Sequence, residues 1–411
     1  MEYPGQGDRP VRERISIGML WAGGILLPVL GFNLHNPYLT LVRGWALPLL
    51  VIVELAALAW IARRGRDRHL ALLWCAALAA TLAGEGKFQW DKRWVLAQSG
   101  AQAHDLGRHF VVGYRRYEDV EALAAKGLIG GIFVTRHNLA GRTADEFRRE
   151  IAALQAVRRN NGLPPLLVAT DQEGGIVSHL SPPLPPMPSL AELASLPLDQ
   201  RVEAARLYGE RQGLELARLG VTVNFAPVAD IRREGPRNRL DFHSLIARRA
   251  ISHDPEIVGQ IATAYSTGLL RAGIVPTVKH FPGLGRVRED THHFQASLAA
   301  SEDDLEATDW RPFRQVLSDT PALLMVGHVR LAAIDPDRPA SHSRAVIHGI
   351  IRKKWGFTGR VITDDLTMPP VYHGGLCIAV TEALDAGVDL LLISFDGQQI
   401  YRALACAMKA R

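Results

Sequence analysis

Cysteine is scarce: the 411-residue chain has three, at positions 75, 377 and 406. None stands at metal-ligand spacing, and three thiols build no disulfide framework, so a structural zinc module and a disulfide-rich scaffold are excluded. The expectation for Cys377 and Cys406 is a pair of buried free thiols, with a bridge in an oxidising compartment as the alternative. Charge is missing from long stretches. No Asp, Glu, Lys or Arg occurs from Ile15 to Val42, Glu54 is the single charge from Gly44 to Ala62, and none occurs from Leu70 to Gly84. No G-x-G-x-x-G follows an early apolar run, which removes the usual reason to expect a dinucleotide-binding sheet. The net charge of +5 is modest, and its arginines flank the apolar runs, so a nucleic-acid partner is not expected.

The uncharged runs are what a bilayer requires, since a helix needs about 20 apolar residues to span one. Residues 1–94 are therefore expected to form a membrane anchor with about three transmembrane helices near 15–34, 44–62 and 69–86. The first two runs are long enough and the third is short. Arg9, Arg12 and Arg14 precede the first run, and Arg63-Arg64-Gly65-Arg66-Asp67-Arg68 follows the second. Under the positive-inside rule both clusters face the cytoplasm. If the third run also spans, the remainder of the chain lies outside. The expected location is the bacterial inner membrane, multi-pass, with the large domain on the extracytoplasmic face and the lipid bilayer as a partner. Glu54 is expected to be protonated or paired within the helix bundle rather than to act on a substrate.

From residue 95 to 411 short apolar runs alternate with helix-period stretches. Candidate strands are His109–Gly113, Ile129–Val134, Leu166–Thr170, Thr222–Ala226, Val275–Lys279, Leu323–Gly327, Val361–Thr363 and Asp389–Ile393. Helical stretches such as Thr143–Arg159, Gln200–Leu219, Pro255–Ala272 and Ser343–Trp355 lie between them. Eight strands alternating with helices predict an α/β fold of the (β/α)8 TIM-barrel type, with a doubly wound open sheet as the alternative. Active sites of such barrels sit at the carboxyl ends of the strands. Here those ends read Asp171-Gln172-Glu173, Asp230, Lys279-His280, His328, Asp364-Asp365 and Asp396. One basin carrying carboxylates, cations and histidines suits a hydroxyl-rich ligand such as a sugar.

Three motifs sharpen this. They are Asp171-Gln172-Glu173-Gly174-Gly175, Lys279-His280-Phe281-Pro282-Gly283 with Asp290-Thr291-His292, and Trp355-Gly356-Phe357-x-Gly359-x-Val361-Ile362-Thr363-Asp364-Asp365. Through them the region from about 95 to 411 resembles family-three glycoside hydrolases, in particular the bacterial β-N-acetylglucosaminidases. The resemblance implies a retaining β-N-acetylhexosaminidase acting on cell-wall-type glycans. Asp364 would be the nucleophile and His292 the acid/base, oriented by Asp290. Asp171, Lys279, His280 and Arg249 would bind the sugar, with N-acetylglucosamine units as the carbohydrate partner and no cofactor or metal. His328 and Asp396 read as structural or peripheral.

The chain departs from the family pattern where Ile176 and His179 replace two arginines, where Leu284 replaces a histidine, and where Arg360 replaces an apolar residue. Losing a charge-assisted hydrogen bond costs about 1.5–3 kcal/mol, enough to shift sugar preference without removing the reaction. Two alternatives follow: a tethered glycan-binding protein with a weakened site, or a phosphorylase that uses the same groups.

Overall fold

The computed structural model describes residues 11–64, 67–233, 244–394 and 397–411. The chain forms two compact units, residues 1–95 and 96–411.

The first unit is three helices: α1 (Val11–Phe32), α2 (Arg43–Arg64) and α3 (Arg68–Ala97). By length and composition α2 and α3 are each able to cross a membrane. The sequence reads the third run as the short one. In fact α3 continues unbroken past Gly84 and reaches 30 residues, because no proline or turn signal interrupts it. Glu54 is buried and accepts a hydrogen bond of 2.8 Å from the Thr81 hydroxyl, which ties α2 to α3.

The second unit is a closed barrel of eight parallel strands. They are β1 (Phe110–Gly113), β2 (Gly131–Phe133), β3 (Leu167–Thr170), β4 (Val223–Asn224), β5 (Val275–Phe281), β6 (Leu323–Val326), β7 (Val361–Asp365) and β8 (Leu390–Ile393). Each pairs with its neighbours in the chain, and β8 closes on β1. Side chains alternate across a strand. Val111, Phe133, Ala169, Val223, Met325, Ile362 and Leu392 therefore meet in one apolar cluster built from strand residues all round the barrel. The helices α4 (Tyr117–Ala125), α5 (Ala144–Asn160), α6 (Leu198–Arg218), α7 (Pro255–Arg271), α8 (Arg311–Asp319), α9 (Pro369–Ala386) and α10 (Gln399–Ala410) follow the strands. The helix expected at Ser343–Trp355 winds as a π-helix over Ala345–Lys354.

Two strands run further than their apolar runs suggest. β5 continues through Lys279 and His280 to Phe281, and β7 includes both Asp364 and Asp365. In β5 the extension is held by packing. Phe281 lies against Trp310, Phe313 and Trp355, and the Trp310 indole N–H donates to the Pro282 carbonyl at 3.0 Å.

One expectation is overturned. Cys377 and Cys406 are not free thiols but a disulfide, with their α-carbons 5.2 Å apart. The two residues lie on helices that pack against each other, α9 and α10. That proximity is set by the barrel and is invisible in their separation of 29 residues.

Candidate active site

At the carboxyl end of β3, Asp171 and Glu173 are two residues apart and so point to one side of the extended chain. Gln172 points away: its side chain bonds Ser181 and the Leu180 N–H, and its backbone is pinned by Asn224. Into the space before the two carboxylates comes Lys279 from β5. Its ammonium is 2.5 Å from Asp171 Oδ1 and 2.6 Å from Glu173 Oε1. Arg249 completes the group, donating to both oxygens of Glu173 at 2.9 and 2.6 Å and to the Ser244 carbonyl at 2.9 Å. Buried charges persist only when paired in this way. Burial by itself raises the Glu173 carboxyl, but Arg249 and Lys279 outweigh it and hold the group below the usual carboxylate range. Lys279 moves the opposite way. Burial favours its neutral form, and Asp171 and Glu173 outweigh that and keep it charged.

His280, next along β5, turns to a different partner. Its Nδ1 is 2.7 Å from Asp230 Oδ2. Asp230 is fully buried and also accepts from the Leu284 N–H at 2.7 Å. A carboxylate accepts, so Nδ1 carries the proton and Nε2 is left to accept from Arg249 Nη2 at 3.2 Å. Leu284 thus contributes its backbone where the family pattern has a histidine side chain.

The acidic pair ending β7 divides cleanly. Asp365 is saturated: it accepts from the Thr367 N–H and hydroxyl, and from the Ser394 N–H and hydroxyl, at 2.6–3.0 Å. Among the described residues Asp364 accepts one hydrogen bond, from the Asp365 N–H at 2.8 Å. Its carboxyl lies below the ordinary range. Burial pushes it up, and the electrostatic influence of His280, His328 and His292 together with the Asp365 N–H outweighs it. His328 is buried between the Ser341 hydroxyl (2.7 Å) and the Asp365 carbonyl (2.9 Å), and burial lowers its pKa. It braces the end of β7.

His292 sits on the loop after β5. Asp290, fully buried, has its Oδ1 3.3 Å from His292 Nδ1, and the same oxygen accepts from the His292 N–H at 3.0 Å and the Ser244 hydroxyl at 2.9 Å. Burial raises the Asp290 carboxyl and these bonds outweigh that and lower it, so it stays ionised. The His292 side chain is 39% exposed. Six of the seven residues singled out in the sequence lie in two linked groups, with Asp171, Lys279, Arg249 and His280 in one and Asp290 and His292 in the other. The groups join where Arg249 donates to the Ser244 carbonyl and the Ser244 hydroxyl donates to Asp290. Asp364 stands apart, at the end of β7. Glu173, Asp230 and Ser244 were not singled out. Glu173 was legible from its spacing to Asp171, whereas Asp230 meets His280 across 50 positions and Ser244 meets Asp290 across 46. Asp396 lies outside the described residues.

The departures also find places. His179 hydrogen-bonds the Asp171 carbonyl through its backbone, and its ring meets Phe133 edge-on at 6.1 Å. Its Nδ1 is buried without a partner among the described residues, and burial lowers its pKa, so a neutral ring stands where the family pattern has an arginine. Ile176 is 40% exposed. Arg360 is exposed and precedes β7, at the opposite end of the strand from Asp364.

The model of the glycosyl hydrolase family 3 N-terminal domain matches residues 101–410. A β-hexosaminidase of Nitrosomonas eutropha is 34% identical over 273 residues, 66% of this chain and 74% of that relative. Among solved structures, a glycoside hydrolase family 3 β-N-acetylglucosaminidase from a Paenibacillus species superposes with a TM-score of 0.67 at 30% identity, covering 76% of this chain and 58% of that longer one. A β-N-acetylhexosaminidase from Beutenbergia cavernae gives 0.67 at 29% identity, covering 76% and 92%. With the family match running over nearly the whole barrel unit, the chain belongs to glycosyl hydrolase family 3 and is a glycosidase.

Proposed function

We propose that the barrel is a retaining β-N-acetylhexosaminidase that releases N-acetylglucosamine from cell-wall-type glycans or their fragments. The observation that carries this is the unequal use of the acidic pair on β7: Asp365 is spent on Thr367 and Ser394, and Asp364 accepts only the Asp365 N–H among the described residues and is held below the ordinary carboxylate range. A carboxylate nucleophile must be ionised and unencumbered. Asp364 attacks the anomeric carbon and the bond to the leaving oxygen breaks, while His292 gives its proton to that oxygen. His292 then takes a proton from water, which attacks the glycosyl-enzyme and frees Asp364. Most retaining glycosidases use a second carboxylic acid as the proton donor. A histidine suits the task because its ordinary pKa is near 6.5, and ionised Asp290 stabilises the imidazolium. Lys279 and Arg249, held by Asp171 and Glu173, present donors to sugar hydroxyls and the acetamido carbonyl.

The first unit is read as a bilayer anchor in the inner membrane, from the length and apolar character of α2 and α3. With α1, itself 22 residues long, counted as a span beside α2 and α3, three passes from a cytoplasmic start put the barrel outside, and the Cys377–Cys406 disulfide supports that side, since such bonds persist in oxidising compartments. An anchored enzyme meets a polymer held near the membrane at high effective concentration.

Ile176 and His179 in place of arginines favour a second reading, a glycan-binding protein with a weakened site. Hydrolysis of an aryl β-N-acetylglucosaminide by the full chain in detergent decides between them, with the aryl β-glucoside and Asp364→Ala alongside. Turnover of the acetamido sugar that is lost in the variant is the expected result. Turnover of the glucoside alone removes the N-acetyl assignment, and no turnover by folded protein favours the binding reading.

A further inference from the structure

His292 stands on the loop between the end of β5 at Phe281 and the short strand Ala296–Leu298. A proton donor on a loop needs fixing from outside it, since a misplacement of about 1 Å can cost on the order of a hundredfold in rate. The anchors of this loop follow in chain order. The Pro282 carbonyl accepts from the buried Trp310 indole at 3.0 Å, and the Leu284 N–H donates to Asp230 at 2.7 Å. A Cβ on Gly285 would collide with the Ile231 carbonyl, so the backbone there lies directly on the segment that leaves β4. These are backbone contacts. Beyond them Asp290 accepts from the Ser244 hydroxyl at 2.9 Å. Between the two sets stands one long side chain, Arg286, six residues before His292.

Arg286 is spent entirely on the protein. Its Nε donates to Asp309 at 2.7 Å, its Nη1 to Asp304 at 2.7 Å, and its Nη2 to Asp304 at 3.1 Å and to the Thr308 hydroxyl at 2.9 Å. A guanidinium is a rigid planar fork, so partners on three nitrogens fix its direction as well as its distance. The Asp309 side chain is 1% exposed and accepts also from the Thr308 hydroxyl at 2.8 Å and from Arg233 at 2.9 Å. Thr308, Asp309 and Trp310 are consecutive, so one turn ahead of α8 holds Pro282 through an indole and Arg286 through a hydroxyl and a carboxylate. The same Trp310 packs on Phe281 with ring centroids 5.3 Å apart, which joins the polar clamp to the aromatic packing behind β5. Residues 282–286 are thereby held at both ends. Only residues 287–289 separate this clamp from Asp290.

With Arg233 and Arg286 against Asp304 and Asp309, the charges balance, and the fork has its acceptors within 3.1 Å. A cation so engaged is not held ready for a ligand. What it supplies is position. We propose that Arg286 is a positioning residue for the acid/base His292. Its clamp on Asp304 and Asp309 sets the point from which residues 287–292 reach the site, and proton donation depends on it although none of its hydrogen bonds goes to Asp290 or His292. The inference rests on the hydrolase reading above and adds to it a residue that acts only through the proton donor.

The test is kcat/KM, which reports the first bond cleavage, for phenyl and dinitrophenyl β-N-acetylglucosaminides with the full chain in detergent. The phenyl group needs a proton to depart and the dinitrophenyl group does not. In Arg286→Ala the phenyl value should fall at least about tenfold and the dinitrophenyl value less than about twofold. Arg286→Lys, which restores the charge without the fork, should recover part of the loss. In a His292→Ala background, Arg286→Ala should change either value by less than about twofold, because the group it acts through is gone. Asp304→Ala leaves Arg286 on Asp309 and Thr308, so it should give a smaller fall confined to the phenyl substrate, and it guards against misfolding of the first variant. Equal falls on both substrates, effects that add fully to His292→Ala, or no fall in any variant overturn the proposal. If the parent protein hydrolyses neither substrate, the hydrolase reading fails by itself. The clamp is then judged by hydrogen exchange over residues 287–295, where faster exchange in Arg286→Ala upholds it and unchanged exchange overturns it.

Discussion

The two halves of the site are built differently. The sugar-holding half, Asp171, Glu173, Lys279 and Arg249, is a closed set of charges, with the Lys279 side chain 3% exposed and every cation within 3 Å of a carboxylate. The proton-moving half is open: the His292 side chain is 39% exposed and sits 3.3 Å from its buried aspartate. The first half is oriented before a ligand arrives and can add little reorganisation cost on binding. The second has room to move between the protonated and free states that a two-step reaction needs. One half is a stability element as much as a binding element, and the other contributes chemistry with little stake in the fold.

Substitutions should break this contrast in different directions. His292→Ala is expected to lower kcat by about two to four orders of magnitude while leaving thermal stability near that of the parent. The smallest deficit is expected on aryl sugars with acidic leaving groups, which need no proton. Steady-state kinetics paired with a melting curve reads both. Next in size, Lys279→Ala should destabilise the barrel by about 3–5 kcal/mol, because it strands two carboxylates beside a single guanidinium. Denaturant unfolding measures this, and a loss below 1 kcal/mol would show that the network is not the stability element described here.

Acid should expose the same network more gently. The folded Glu173 carboxyl lies below its unfolded value of about 4.3, so its contribution is fully present above that pH and is lost as pH falls through the folded value. Lys279 has the reverse sign: its contribution holds below about pH 10.4 and is lost as pH rises beyond it. Unfolding free energies should therefore be flat in this respect between about pH 5 and 10, with the acid slope reduced in Glu173→Gln. Smallest of all, Arg360→Ala should change neither kinetics nor stability by more than about 0.5 kcal/mol, since the side chain is exposed at the far end of β7. A kinetic effect there would mean that the two ends of the barrel are coupled.

Much of the barrel is legible in the sequence because strand and helix periodicities are local, and so are the turn residues that separate them. The ends of β5 and β7 are not, since titratable residues read as loop until aromatic packing behind Phe281 or the hydrogen bonds around Asp365 hold them extended. The residue types at the strand ends point to sugar chemistry, and the motifs identify the family. The resemblance singles out Asp364 of the consecutive pair, but the local sequence does not say why Asp365 is the occupied one. That depends on Thr367 and Ser394 reaching Asp365, the second of them from β8 across 29 positions.

By itself, then, the sequence determined the alternation that closes the barrel, the reacting residue types and the apolar character of the first unit. All of these are set by neighbours a few positions apart. Only the tertiary structure decided that Asp230 orients His280, that Ser244 reaches Asp290, and that Cys377 meets Cys406. Each is a contact between residues far apart in the chain, where direction and distance are fixed by how the strands and helices pack.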